Sequence, residues 1–470
     1  MSLADEIENV LHWQQGVLEQ GRGFITLPSQ FVSLERYGVQ LASEIENKIR
    51  HALKGEDYLI KPHFIDIPKK NKAAFRQVPI FSLIDESILT WAAMKNFHVI
   101  RENTQNTTHI IDHSRRLPDS IYSNIWINDF IEPYRAFRNR ENSARQKGRR
   151  VLCLDIKNFG PSVDLDILKD IVINHMDGDP FSMEVFMQST RQMQETQNAS
   201  GIPIGTVSTD LFLKAYLHPF DVAMQSRFHD RYFRYVDDMR FVLDENEDLN
   251  EIIHFVEEQL SSLGLSLNAD KTEILMPGIS SHPDKHIVEC LQNHGIELSQ
   301  MADGAIDRST LKPEHLRFIL EDIILPYLGS GASNIDEDLL RQTYQLMGDM
   351  KLEDIIDNFE DIIELAPNKA RFLKYYVERG NYEERAMPTL IDLCSHRLSG
   401  FDQYDVFKMA MRFFVKEPEK MQVTAHLLTT QDDIPEYMRI WAFDVLYASK
   451  LSLQPIVHAG KNAAWQMHRQ

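Results

Sequence analysis

Cysteine is scarce. Cys153, Cys290 and Cys394 are the only three in 470 residues, they stand far apart, and none belongs to a CxxC pair. That spacing gives neither a disulfide framework nor a thiolate zinc site, so the three read as buried thiols. Long apolar runs are also missing. No stretch approaches the roughly 20 residues that a bilayer-crossing helix needs, and no membrane partner is expected. The opening segment MSLADEIENVLHWQQG has an acidic helical pattern without a basic leader. It does not read as a signal peptide, and the cytoplasm is the expected compartment. Global positive charge is lacking too: 50 Lys and Arg face 70 Asp and Glu, a net charge of −20. This excludes a protein that coats nucleic acid through its overall field.

With 43% hydrophobic and 26% charged residues, the chain has an ordinary globular composition, and its length leaves room for two or three domains. Charge is unevenly placed along it. From Arg135 to Arg150, seven basic residues stand against Glu141 alone; from Ser333 to Leu365, ten acidic residues stand against Arg341 and Lys351. The acidic run reads as a solvated face. The basic run leads into an apolar strand at Val151 and is either such a face or a phosphate contact surface, carried by Arg145, Lys147, Arg149 and Arg150.

Up to about Glu297, strands alternate with helices. KPHFIDIPKKNKAAFRQVPIF reads as a strand, a basic loop and a second strand, and Ser82 to about Phe97 as a helix. RVLCLDI reads as a strand, FRYVDDMRFVL as a hairpin, Asp248 to Leu263 as an amphipathic helix, and LGLSLNADKTEIL as a return to strand. This describes an α+β domain over residues 1–297. Beyond the polar connector QMADGAIDRSTLKPEH, residues 298–470 read almost entirely as helices of 11 to 16 residues broken by Gly, Pro or Asn. Stacked antiparallel helix pairs, a helical-repeat-like arrangement, are expected there, although no crisp sequence period is present.

The hairpin poses a question, because Asp237 and Asp238 stand side by side among Phe233, Tyr235, Val236, Phe241 and Val242. Two like charges about 5 Å apart repel by roughly 3 kcal/mol at an effective dielectric of about 20, and burial adds a desolvation cost. A third carboxylate, Asp155, ends the strand in VLCLDIKNFGPSV. If the two strands are neighbours, the three converge, and a pair of divalent cations, Mg2+ or Mn2+, would neutralise them.

At this point the chain resembles the reverse transcriptases. YVDD at Tyr235 to Asp238 is similar to their palm hairpin motif, and LDIKNFGPSV from Leu154 to their first palm aspartate motif. GIPIGTVSTDLFLKAYLHPFD, Gly201 to Asp221, resembles the segment between those two motifs, and LGLSLNADKTEI the one after the hairpin. IPKKNKAAFRQVPI resembles the fingers strands. The resemblance implies a right-hand fingers and palm architecture and a metal-dependent nucleotidyltransferase that takes deoxynucleoside triphosphates. Its catalytic, metal-holding residues would be Asp155, Asp237 and Asp238. Nucleotide contacts would come from Lys69 or Lys70, Arg76, Ile156, Phe159, Gly160, Pro203, Ile204, Gly205 and Lys271. An Arg fork and a Lys charge suit phosphate oxygens, and Gly201, Pro203 and Gly205 permit a close backbone approach. Lys271 either serves the departing pyrophosphate or pairs with a carboxylate.

Three positions depart from the family pattern. Gly160 stands where an aromatic residue usually meets a ribose 2′-hydroxyl, unless the loop shifts by one and Phe159 serves. Ile204 replaces a common glutamine, and the expected serine is displaced to Ser208 or replaced by Thr209. With the long helical C-terminal region, Ile204 gives a likeness to bacterial abortive-infection reverse transcriptases of the AbiK kind. That likeness implies antiphage defence, single-stranded DNA synthesis with or without an RNA template, priming from a protein tyrosine in some members, and homo-oligomers. Two other readings stay open: an RNA-synthesising polymerase, to which Gly160 points, and a nucleic-acid-binding scaffold with a retired palm.

Overall fold

The computed structural model of the chain describes residues 2–19, 28–56, 62–68, 75–105, 112, 131–197, 200–203, 206–244, 247–277, 285–297, 309–326, 337–353, 373–382, 385–386, 439 and 442–447. Two N-terminal helices, α1 (Leu3–Glu19) and α2 (Pro28–Leu53), pack through Ile7, Val10 and Leu11 on one and Leu41, Ile45 and Ile49 on the other. β1 (His63–Pro68) and β2 (Phe75–Ile80) form an antiparallel pair that closes at Pro68 opposite Phe75. Next, α3 (Leu83–Thr104) begins where the Ser82 hydroxyl accepts the Asp85 N–H at 3.1 Å. It continues past the predicted end at Phe97, because Phe97 and Ile100 are fully buried and keep its stripe in the core.

α4 (Ile131–Gln146) carries most of the basic run and leads into β3 (Val151–Asp155). After a single helical turn at Phe159–Ser162, α5 (Leu165–Asp170) is capped by Asp164, whose carboxylate accepts the N–H groups of Asp166 and Ile167, and it runs on into a π-helical turn, Ile171–His175. α6 (Pro180–Gln197) and α7 (Val207–Phe228) follow, then β4 (Tyr232–Tyr235), β5 (Asp238–Val242), α8 (Leu249–Ser262) and β6 (Glu273–Leu275). The strands form one antiparallel sheet in the order β4-β5-β3-β6.

Strand alternation gives this sheet two different faces. Leu152, Leu154, Tyr232, Met239 and Phe241 join the main core, together with residues of α3, α6, α7 and α8 such as Ile88, Phe186, Phe212 and Val256. On the opposite face, Val151 and Cys153 pack against Ala144 of α4, with Val242 and Leu275 beside them. Cys153 is buried, which pushes its thiol up to about 12, whereas Cys290 is half-buried. Less of LGLSLNADKTEIL is strand than predicted. Only Glu273–Leu275 pairs in β6, and Ala269–Lys271 forms a 3-10 turn because Asn268 and Lys271 turn toward Asp155.

The described C-terminal elements are helical: α9 (Lys285–Asn293), α10 (Pro313–Phe318) continued by a π-helical segment to Ile324, α11 (Glu337–Asp349) and α12 (Leu373–Gly380). α11 and α12 touch at Gly348, where an added Cβ would lie 2.6 Å from the Tyr376 carbonyl. The helices expected over residues 354–372 and 387–438 lie outside the described residues, as does Cys394. Among the described residues, no helix is long and apolar enough to cross a membrane.

Candidate active site

The site grows from one register. Asp155, the last residue of β3, is the direct cross-strand partner of Asp238, the first residue of β5. Directly opposed residues in antiparallel strands have Cα atoms about 5 Å apart. Asp155 and Cys153 share a parity, so the carboxylates lie on the α4 side of the sheet, away from the main core. Asp237 occupies the hairpin turn, where its carbonyl accepts the Ile156 N–H at 3.2 Å. The buried Ile156 thereby ties the end of β3 to that turn. The structure brings Asp155, Asp237, Asp238 and Lys271 together.

Electrostatics follow from this crowding. Burial, then the charges of Asp155 and Asp238, push the Asp237 carboxyl up to about 6. Asp238 is raised too, first by burial, with Asp155 adding to it and Arg240 opposing. Asp155 is 3% exposed. It accepts hydrogen bonds from Lys271 Nζ at 2.7 Å and Asn268 Nδ2 at 3.0 Å. Lys271 is raised by the same bond. Among the described residues, no three His, Cys, Asp or Glu groups are already gathered to grip a metal ion. Asp155 instead faces an ammonium. The donor set fits a divalent cation nonetheless: hard carboxylate oxygens, mutually repelling and partly buried, with one monovalent cation beside them.

The turn itself is strained. β4 and β5 are joined by Val236 and Asp237 alone, and Val236 has φ +56°, a conformation rare for a β-branched residue. Arg234 holds it by donating to the Val236 carbonyl at 3.0 Å. This guanidinium is 1% exposed and forks onto Asp221 of α7 at 2.8 and 2.7 Å, with Asp112 at 3.1 Å. Asp112 in turn pairs with Lys214, and Tyr232 donates to Asp221 at 3.0 Å. Two carboxylates and two cations thus form a buried, neutral cluster under the hairpin. None of its members was singled out in the sequence as a site residue. The available signal was a charge at Arg234 on the inward parity of Tyr232.

The Gly201 segment packs against the turn that follows Asp155. Ile202 N–H donates to the Gly160 carbonyl at 3.1 Å. Gly201 has φ +63°, and a Cβ there would lie 2.0 Å from that same oxygen. Only glycine meets both conditions. Gly201→Ala is therefore expected to lower stability by roughly 2 kcal/mol or more, measured by urea unfolding; an unchanged midpoint would contradict this contact. Gly160 leaves position 160 without a side chain, and Phe159 stands next to it at the start of the helical turn Phe159–Ser162. Phe159 is 6% exposed and belongs to the main core.

Other predicted residues lie elsewhere. Pro203 is buried beside this segment, while Ile204, Gly205, Lys69 and Lys70 lie outside the described residues. The backbone of Arg76 sits in β2 opposite Ile67. The basic run is at the far end of β3, about 13 Å of strand from Asp155. There Arg145 donates to the Met276 carbonyl, Arg149 to the Leu243 carbonyl and Asp244, and Arg150 to the Asp244 carbonyl, with Lys147 exposed.

An antiparallel sheet backed by helices, with aspartates at a strand end and in an adjoining hairpin, has the layout of a nucleotidyltransferase palm. Residues 67–318 match the family described as reverse transcriptase (RNA-dependent DNA polymerase), and the chain belongs to that family. No curated protein matches it. Among solved structures, apo telomerase from Candida tropicalis is 11% identical, with 87% of this chain and 74% of that one covered and a TM-score of 0.33. Telomerase from Candida albicans in complex with a fragment of telomeric RNA is 13% identical, with 82% and 70% covered and a TM-score of 0.33.

Proposed function

We propose that the protein extends a DNA strand from deoxynucleoside triphosphates, with Asp155, Asp237 and Asp238 as its metal-holding, catalytic residues. The observation that carries this reading is the pairing of Asp155 with Asp238 beneath a strained turn that presents Asp237. When bound, two divalent cations would activate a 3′-hydroxyl and offset charge on the departing pyrophosphate. Lys271, which donates to Asp155 at 2.7 Å, would stand within the same site to offer its charge to the departing anion. The biological setting we favour is antiphage abortive infection, with synthesis that does not require an RNA template and a homo-oligomeric assembly. Ile204 and the helical C-terminal region support that choice.

Incubating the purified protein with Mg2+ or Mn2+ and labelled deoxy- or ribonucleotides, separately, tests the chemistry. A DNA product abolished by Asp155→Asn is expected. Product from ribonucleotides alone would favour an RNA-synthesising polymerase, with Gly160 leaving the 2′-hydroxyl unopposed. No product, with biological effect intact in Asp155→Asn, would favour the scaffold.

The reading also places Arg145, Lys147, Arg149 and Arg150 on the wall of the nucleic-acid channel. Replacing all four with Gln is expected to weaken DNA binding and to flatten its dependence on salt by up to about four counterions. An unchanged slope in a fluorescence-anisotropy titration would remove them from that wall.

A further inference from the structure

The carboxylate-bearing face of the sheet is covered along most of its length by α4. Ala144 packs on Val151 and Cys153. Glu141 accepts from Arg240 at 2.7 Å. Phe137 meets Phe233 and Tyr235 at ring distances of 5.6 and 6.0 Å. From its C-terminal to its N-terminal end, the helix therefore advances along the strands toward the hairpin turn. The next residue on this stripe is Tyr134, by the three- and four-residue spacing that keeps side chains on one helical face.

Tyr134 breaks the pattern of burial. Phe137 is 1% exposed, but Tyr134 is 46% exposed. Its ring stands edge-on to Tyr235 at 5.1 Å, two residues before Asp237. One turn further along, Arg138 is half-buried; it pairs with Glu141, and its charge reaches Asp238. The Tyr134 ring also stacks on Phe137 at 6.2 Å, yet it stays half exposed next to the residue that leads into the aspartate turn. With a guanidinium one helical turn away, it offers what a nucleobase and its phosphate require.

We propose that Tyr134 is a stacking platform for a nucleobase of the strand being extended, close to its 3′ end, with Arg138 on the adjoining phosphate. The inference rests on the polymerase reading. It adds a binding site on α4, which lies within the family-matched residues but between the motifs quoted from the sequence.

The full-length protein and its Tyr134→Phe, Tyr134→Leu and Tyr134→Ala variants test it. The Michaelis constants for an oligonucleotide strand and for the deoxynucleotide are measured separately. The dissociation constant of a fluorescent oligonucleotide is measured without nucleotide. Leu and Ala are expected to raise both strand constants about tenfold. Phe stays within twofold of wild type, and the deoxynucleotide constant does not move. Leu retains bulk without a π-face, so stacking is separated from packing. Strand constants within twofold of wild type in Leu and Ala would overturn the proposal. So would a fall in kcat with both Michaelis constants unchanged, which is what loss of a prop for Tyr235 produces. If the wild type neither extends nor binds the oligonucleotide, the polymerase reading fails and the platform with it. If it extends and the variants match it, the platform alone fails.

Discussion

Asp237→Asn is expected to reduce nucleotide incorporation by about 1000-fold or more and, at the same time, to stabilise the metal-free protein at pH 7.5. The two effects share a cause. The carboxyl of Asp237 is raised from 3.8 to about 6 by burial and by its two neighbours. Between those values the folded chain keeps a proton that the unfolded chain has released, so stability falls as pH rises through this window and stays lowered above it. The gap corresponds to at most about 3 kcal/mol. Asparagine has nearly the same shape and no charge, so it removes the penalty, but it also removes a ligand from any cation held there. Thermal melting in a chelator should show the variant melting higher than wild type at pH 7.5, with the difference shrinking at pH 4.5. Added Mg2+ or Mn2+ should raise the wild-type melting temperature more than the variant's. Equal melting at both pH values would mean that the three carboxylates do not crowd one another.

Such a penalty marks where the candidate site was legible in the sequence. An adjacent pair of aspartates in an apolar hairpin contradicts the local pattern of a core strand, and that conflict, together with Asp155 at a strand end, marks the three as candidate site residues. The strands RVLCLDI and FRYVDDMRFVL were equally readable, but Val151 to Leu154 are apolar and buried at every position, so the face shared by Asp155 and Asp238 comes from the register. Partners distant in sequence were not readable. Nothing in RYVDD says that Arg234 forks onto Asp221, or that Asp112 closes the cluster. The basic run of α4 was read only as a solvated face or a phosphate contact surface, not as a helix laid on the sheet, so Tyr134 gave no sign of its place beside Tyr235. The loss of strand in LGLSLNADKTEIL had a similar origin, because Asn268 and Lys271 make tertiary hydrogen bonds that a strand ladder would not allow.

Arg234 is where the largest loss of stability is expected. Its guanidinium is buried with Asp112, Asp221 and Lys214, two charges of each sign. Arg234→Met would leave two carboxylates facing one ammonium without water, which costs about 3–5 kcal/mol, a large part of the roughly 5–15 kcal/mol that holds a domain folded. Adding Asp221→Leu restores the balance of one charge of each sign, so the double variant should be more stable than Arg234→Met alone, a coupling readable by denaturant titration. Arg234→Lys separates charge from geometry. It keeps the cation but loses the planar fork and the reach to the Val236 carbonyl. The protein should remain folded, while the turn bearing Asp237 is no longer pinned in its left-handed conformation. Displacement of a reacting group by about 1 Å can cost about 100-fold in rate, so kcat should fall by one to two orders of magnitude in Arg234→Lys, with far less change in melting temperature. Wild-type kcat in that variant would mean that the turn holds its shape by itself. The strain at Val236 argues otherwise, because a β-branched residue at positive φ persists only where its surroundings fix it, and Arg234 donates directly to the carbonyl of that residue.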